Sequence, residues 1–198
     1  MAQNITGATL SYSVGWNTIC AGALILLGRE GVNNYTTDDT VDAELCRTFL
    51  PEAISVASSY FDWTFLRKHM SLSYDTTVKT GPFLYAYALP IDIARLTKVS
   101  TANNDEFQII GRTIWTDSAS CEILYQYLPE IPDTLPQNFL TAIKHYLAYL
   151  LSKPLSGNDS LASQELQLYQ YWIEQASNTD RAWLYTQGET WWTELIEQ

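Results

Sequence analysis

Paired carboxylates are the only route to catalysis that the composition of this chain leaves open. A glycosidase needs two carboxyl groups roughly 5–10 Å apart, one of which keeps its proton near neutral pH. Any acidic protein offers such pairs, and most of them are solvated surface groups or helix caps. A small hydrolase of cell-wall glycan therefore stays open as an alternative function, with five candidate residues: Glu44, Glu52, Asp92, Glu106 and Glu122.

The histidines and cysteines lack the spacings that metal or acid–base chemistry requires. His69 falls on the polar face of a predicted strand and His145 within an apolar helix, with no metal-ligating residue three or four positions further on. Cys20, Cys46 and Cys121 form no CxxC pair, so we expect reduced core residues, not a disulfide scaffold or a zinc site. No GxSxG, HExxH, P-loop or GxGxxG motif occurs. We expect no catalytic residues, no cofactor and no metal.

The charge of the chain narrows the class of partner. Eleven Lys and Arg against 22 Asp and Glu give a formal net charge of −11 at pH 7. Nucleic-acid affinity comes mainly from cations that displace counterions from phosphates, so we expect no specific grip on DNA. An acidic surface can nevertheless lie beside DNA and repel it. The longest apolar run, residues 19–27, is far shorter than the roughly 20 residues that span a bilayer, so no membrane anchor is expected.

The spacing of apolar residues predicts a mainly helical α+β fold, in which an antiparallel helix bundle carries an inserted antiparallel β meander. Helices are predicted over 16–61, with Pro51 kinking or splitting the second one, and over 137–180, with a stop before Pro154. Over 66–128, period-2 alternation and short turns predict the meander, whose first strand is expected to bury one face.

Residues that precede or follow the predicted helices are suited to ending them. Gly28 can end the first helix, because glycine tolerates the left-handed backbone conformation. Asp39 or Thr40 is expected to cap the second helix, and Asn158-Asp159-Ser160 the last one.

The C-terminal tail, residues 183–198, is the most unusual feature of the sequence. It follows a single predicted domain of residues 1–182, and the helical pattern fails after about Asp180. Adjacent tryptophans cannot share one helical face, and exposed tryptophan clusters mark interfaces, so we expect a partner to cover the tail. For Trp183 and Tyr185, packing on the protein's own core stays open. The candidate docking residues are Trp183, Tyr185, Trp191, Trp192, Leu195 and Ile196.

Asp92 and Arg95 form a candidate pair beside the predicted turn Pro90-Ile91-Asp92. Arg95 can bridge back to Asp92 or reach a neighbouring subunit. A local exposed bridge would contribute on the order of 0–1 kcal/mol. The pair is therefore interpreted either as a turn pair or as an inter-subunit pair.

Several short motifs follow one another between residues 16 and 181. They are Trp63-Thr64-Phe65, Tyr85-Ala86-Tyr87-Ala88-Leu89-Pro90 followed by Asp92 and Arg95, Gly111-Arg112-Thr113-Ile114-Trp115-Thr116-Asp117, a strand ending near Tyr127-Leu128-Pro129, and an apolar helix over 139–151. In their order and spacing, the chain resembles the tail tubular protein A family, the head-to-tail adaptors of short-tailed double-stranded DNA bacteriophages.

The resemblance implies a structural protein of the virion. Such adaptors form a twelve-membered ring beneath the portal, carry the tail nozzle and continue the channel through which DNA leaves. By analogy, the helical parts would form the ring body and region 66–128 would project toward the tail, with Gly81 and Pro82 in a nozzle-facing loop. The tail 183–198 would dock on the portal protein.

The same resemblance implies where the protein acts. It would be assembled in the bacterial cytoplasm and reside at the head–tail junction of the virion, with DNA passing through the ring without specific binding. A connector of a long-tailed phage, or another oligomeric scaffold, is a further alternative.

Overall fold

The computed structural model describes residues 15–75, 83–102 and 104–185, with side chains as far as Ala182. Within these ranges the chain forms four α-helices and two three-stranded antiparallel sheets. The predicted α+β class is therefore confirmed. The four helices are α1 (Trp16–Leu26), α2 (Val41–Tyr60), α3 (Gln137–Ser156) and α4 (Asp159–Tyr185).

Helix α3 contacts all three of the other helices. Its apolar residues recur every three or four positions, so one broad face of the helix is buried. A short 3₁₀ helix (Thr64–Leu66) closes the same core, where the buried Trp63 indole N–H donates to the Ala57 carbonyl at 2.9 Å. The largest buried residues of α3 are Phe139, Leu140, Ile143, Leu147 and Leu151.

The helix ends follow local sequence signals. Thr40 caps α2, because its hydroxyl accepts from the Ala43 amide at 3.2 Å. Gly28 follows α1 with φ +71°, which a glycine adopts without the steric cost that a Cβ would bring. Asn158 caps α4 by accepting from the Ser160 and Leu161 amides at 3.1 and 3.2 Å. These predicted boundaries are confirmed, with Thr40 and not Asp39 as the cap of α2.

Two helices run through prolines where a break was predicted. Helix α2 continues past Pro51 to Tyr60 as a single element, so a split at Pro51 is wrong. The expected stop before Pro154 is also wrong, because α3 extends to Ser156 and ends at Gly157. Each proline removes one backbone hydrogen bond, and burial of apolar residues on both sides of Pro51 offsets that loss.

The six strands pair in an order that the sequence does not reveal. One sheet has the order β1-β6-β3 and the other β2-β5-β4, so only β4 and β5 are neighbours in both sequence and space. The predicted meander is therefore wrong. The strands are β1 (Arg67–Leu72), β2 (Tyr85–Ala88), β3 (Ile93–Thr101), β4 (Phe107–Ile110), β5 (Thr113–Thr116) and β6 (Cys121–Tyr127).

The position of β6 explains this order. Four of its seven residues are buried, and a strand with so much buried surface is most stable between two neighbours. Side chains from both sheets meet in a second apolar core that contains Tyr87, Ile114, Ile123 and Tyr125. The side-chain amide of Gln126 donates to the Phe61 carbonyl at 2.9 Å. This hydrogen bond joins the sheet β1-β6-β3 to the end of α2.

Strand β1 is more exposed than predicted. It lies at the edge of its sheet, where β6 is its one strand neighbour among the described residues. The four side chains from Lys68 to Ser71 are exposed, so the prediction that one face of this strand is buried is wrong. An edge strand is covered from one side only, and alternation in the sequence does not show which strands lie at an edge.

Candidate functional site

Asp92 immediately precedes β3 and makes hydrogen bonds with residues of β1 and β6. Neither bond involves Arg95, the partner that the sequence predicted. Its carboxylate accepts from the Lys68 ammonium at 2.7 Å and from the Tyr125 hydroxyl at 3.1 Å. Its backbone carbonyl accepts from the Leu128 amide at 2.9 Å. Both Asp92 and Arg95 are among the described residues, and no ion pair joins them, so the local Asp92–Arg95 bridge is corrected to Asp92–Lys68.

The charges around Asp92 hold it ionised. The hydrogen bond from Lys68 lowers the pKa of the Asp92 carboxyl, and the same bond raises the pKa of Lys68. Burial raises the pKa of the Tyr125 hydroxyl, and the neighbouring Asp92 adds to that rise. A glycosidase acid needs the opposite shift, because it must keep its proton near neutral pH. Asp92 is thus suited to fastening the sheet and not to donating a proton.

The other carboxylates of the hydrolase alternative are dispersed over the fold. Glu44 and Glu52 lie on α2, eight residues and therefore about 12 Å apart along the helix axis. Glu122 lies on β6 and pairs with His69 at 3.3 Å, where both side chains are exposed. Among the described residues, no group of three His, Cys, Asp or Glu side chains could hold a metal ion.

A buried histidine–glutamate pair connects α3 and α4. His145 Nδ1 lies 2.6 Å from Glu165 Oε2, and the two side chains are only 8% and 3% exposed. Sequence reasoning placed His145 inside an apolar helix but did not single out Glu165. A signal was present, since Glu165 stands four residues from both Leu161 and Tyr169 on the apolar face of α4. The pair is fully enclosed, which favours a structural role.

The cysteines of α1 and α2 lie next to each other in the helical core. Cys20, Cys46 and Cys121 are all buried free thiols. A hydrogen bond between Cys20 and Cys46, together with burial, raises the pKa of the Cys20 thiol. A raised pKa reduces the thiolate fraction, so Cys20 is a poor nucleophile and metal ligand.

Asp180 fastens the last turns of α4 to the 3₁₀ helix. Its carboxylate accepts from the Thr64 amide at 2.9 Å and from the Thr64 hydroxyl, and it is 6% exposed. Beside it lies a cavity of about 320 Å³ between the 3₁₀ helix, the start of α3 and the end of α4. Phe65, Pro136 and Ala176 supply apolar parts of its lining.

The predicted docking residues fall at or beyond this end of α4. The helix continues to Tyr185, so the prediction that regular structure fails after about Asp180 is wrong. Trp183 and Tyr185 lie within the helix, and their side chains are outside the described part. Outside the described residues lie Trp191, Trp192, Leu195, Ile196, Gly81 and Pro82.

Large apolar residues are exposed on and beside the sheet β2-β5-β4, and we call this set the apolar rim. Leu84 precedes β2 and is 79% exposed, and Ile91 follows it in a turn and is 96% exposed. The edge strand β4 adds Phe107, Ile109 and Ile110, at 42%, 47% and 52%. Soluble monomers usually protect edge strands with charges, prolines or a covering segment, whereas β4 has the sequence Phe-Gln-Ile-Ile.

The negative charge of the chain is unevenly distributed. Residues 66–128, which contain all the strands, carry six Lys or Arg and six Asp or Glu. The whole net charge of −11 therefore lies outside this region, with −6 on the helical parts 16–61 and 137–180, −3 on the segments 62–65 and 129–136, and −2 on residues 181–198. Of the described cations, neither Arg95 nor Lys98 takes part in an ion pair with another described residue.

Comparison with known proteins adds no relative to this picture. No protein-family model matches the chain. No curated protein matches it at a significant level. Among the described helices, none is both long enough and apolar enough to cross a membrane.

Proposed function

We propose that this chain is a head-to-tail adaptor of a short-tailed double-stranded DNA bacteriophage. It is a structural protein of the virion that forms a ring, of twelve copies by analogy, between the portal and the tail nozzle. The ring continues the DNA channel, and the chain catalyses no reaction. The motif order described above supplies the family, and the apolar rim is the structural observation that carries the proposal.

The apolar rim supports assembly with other chains. Its residues stay exposed although two apolar cores are already filled. Among the described residues, β4 pairs with β5 alone. The backbone groups on the other side of such an edge strand and its exposed apolar side chains are stabilised when another chain covers them. A subunit of a ring has at least two neighbours of its own kind, which accounts for an exposed apolar surface such as the apolar rim on so small a domain.

The charge distribution supports a role around DNA. In the proposed ring, the helical parts (16–61 and 137–180) form an antiparallel bundle that makes up the body and carries −6 of the net charge of −11. A channel wall of that sign repels phosphates, so that DNA slides through without specific binding. The electrically balanced region 66–128 projects toward the nozzle, with Gly81 and Pro82 in the facing loop.

The C-terminal tail and Arg95 supply the remaining contacts of the subunit. Residues 1–182 form one adaptor domain, and the tail 183–198 docks on the portal protein through its aromatic and aliphatic residues. Arg95, which has no ion-pair partner among the described residues, is free to reach a neighbouring subunit. The protein is assembled in the bacterial cytoplasm and resides at the head–tail junction.

Deletion of residues 186–198 tests the docking role without shortening α4. The truncated chain is expected to stay folded and to lose joining to portal-bearing heads. A full-length Glu194→Gln variant keeps every apolar tail residue and serves as the matched control. Normal joining by the truncated chain would contradict the docking role, and glycan turnover that disappears on a single Glu→Gln change would support the hydrolase alternative.

A further inference from the structure

The cavity beside the end of α4 has the size and lining of a site for one aromatic side chain. Its volume of about 320 Å³ lies near the lower limit of small-ligand pockets, about 300 Å³, so it is too small for a large cofactor. Phe65 in its wall already packs on Trp63 and Phe139, with ring centroids 5.3 and 5.1 Å away. A further ring placed on Phe65 would extend this aromatic cluster.

Polar atoms surround the apolar wall. Thr134, Asn138 and Thr179 line the cavity together with Asp180. Their side-chain oxygens can accept a hydrogen bond, and an indole N–H is a donor that needs one acceptor when it is buried. Among aromatic side chains, tryptophan therefore fits this cavity, which combines an apolar wall with surrounding hydrogen-bond acceptors.

The chain itself supplies tryptophans at the required reach. Tyr185 ends α4 about 8–14 Å along the helix axis from the wall residues Asp180 and Ala176. Trp191 and Trp192 come six and seven residues later, and six extended residues span up to about 20 Å. Gly188 lies between them and the helix, and a glycine permits the chain to reverse direction.

We propose that this cavity holds the indole of Trp191 or Trp192 of the same chain while the subunit is free. The tail is then folded back along α4, and its apolar residues are partly covered before assembly. The docking itself is a property of the isolated chain and does not depend on the adaptor role. Only its consequence rests on the proposed function: the portal would have to displace the indole from the cavity in order to bind the tail.

Fluorine NMR of the full chain labelled with 5-fluorotryptophan tests this docking. Trp191→Phe and Trp192→Phe assign the two tail signals. In the wild-type chain, one of these signals is expected to differ from a free tail peptide and to lack a solvent isotope shift. Thr179→Phe fills the cavity from an exposed position and should return that signal to the free-peptide value. Asn178→Phe, on the neighbouring exposed position, should leave it unchanged.

Two outcomes overturn the proposal. In the first, both tail signals match the free peptide in the wild-type chain and do not respond to Thr179→Phe. In the second, the shifted signal appears only as protein concentration rises together with molecular mass, which would place the indole in another copy. Neither result bears on joining to portal-bearing heads, so failure of the docking is distinguishable from failure of the adaptor role.

Discussion

The Asp180 carboxylate accepts two hydrogen bonds from Thr64, one from the backbone amide at 2.9 Å and one from the hydroxyl. The two residues are 116 positions apart in the sequence. This contact joins the last turns of α4 to the segment that connects the helices to the sheets. Both residues also line the cavity beside the end of α4.

Removal of the Asp180 carboxylate should destabilise the fold. Asp180→Ala leaves the Thr64 amide without its charged acceptor, and a hydrogen bond to a charged group contributes about 1.5–3 kcal/mol. We expect the free energy of unfolding in urea to fall by about 2–3 kcal/mol. Thr179→Ala, one position away and exposed, should change it by less than about 0.5 kcal/mol. Equal effects of the two substitutions would show that the Thr64 contact contributes nothing.

Removing one member of the buried His145–Glu165 pair should destabilise the fold, whereas replacing both members with apolar residues should change its stability little. Glu165→Ala leaves the enclosed His145 ring nitrogen without its hydrogen-bond partner, and an unsatisfied buried polar group costs about 1–3 kcal/mol. The double variant His145→Leu, Glu165→Met replaces both groups with apolar ones and should be close to neutral. Glu174→Ala, on the exposed side of α4, is the control. A double variant that is as destabilised as Glu165→Ala would contradict this account of the pair.

The Asp92–Lys68 contact should make stability depend on pH in one direction. The folded-state pKa of Asp92 is lowered by Lys68, so its contribution is present above the unfolded-state value of about 3.9 and disappears as pH falls through the folded-state pKa. Because Lys68 is 44% exposed, solvent screening reduces the contribution to about 0.5 kcal/mol.

Asp92→Asn checks this dependence. The variant should be less stable than the wild-type chain at pH 7 and equal to it at a pH below the folded-state pKa of Asp92. Arg95→Gln is the control, since no ion pair joins Arg95 to Asp92. The unfolding midpoints of the wild-type chain and of Asp92→Asn are measured across this pH range. A difference between them that persisted at the lowest pH would contradict the account.

The three cysteines should be unreactive in the folded chain. All of them are buried. The hydrogen bond between Cys20 and Cys46, together with burial, raises the pKa of the Cys20 thiol, and burial raises that of Cys121. The same hydrogen bond lowers the pKa of Cys46, so the protection of Cys46 rests on its burial. We expect labelling by a disulfide reagent at pH 8 to be slower than for a free thiol by a factor on the order of 100 or more, and to become fast for all three in denaturant. Rapid labelling of one thiol without denaturant would contradict the buried placement.

The sequence shows the local features of this fold more clearly than the long-range ones. Thr40 and Asn158 are recognisable as caps because capping depends on a side chain and an amide two or three residues away. The place of β6 between β1 and β3 depends instead on pairing with strands far apart in sequence. The continuation of α3 through Pro154 depends on the packing of the helix as a whole, which a proline by itself does not reveal.

For the candidate site too, the sequence indicated general features but not the long-range contacts. The tryptophans of the C-terminal tail indicated a protein that binds other chains, and the exposed β4 is consistent with that indication. Lys68 lies 24 positions from its partner Asp92, and Thr64 lies 116 positions from its partner Asp180. Such contacts arise only from tertiary packing, so no spacing rule in the sequence identifies them.

The apolar rim should be needed for assembly and not for folding. Ile109→Lys together with Ile110→Lys places charges on exposed positions of β4, and such surface changes shift stability by about 0.5 kcal/mol or less. Association into a ring should nevertheless be lost, because buried charges without partners are unfavourable in an interface. Ser163→Lys, at an exposed position of α4, is the control for added charge. Assembly of the double variant would exclude β4 from the interface.

Mass measurement of the purified chain, alone and with portal-bearing heads, tests the central claim most directly. The account predicts a single 22.5 kDa chain in isolation and a closed ring of many copies at the portal vertex. A chain that stays at the mass of one copy and does not bind the heads at any concentration would contradict it.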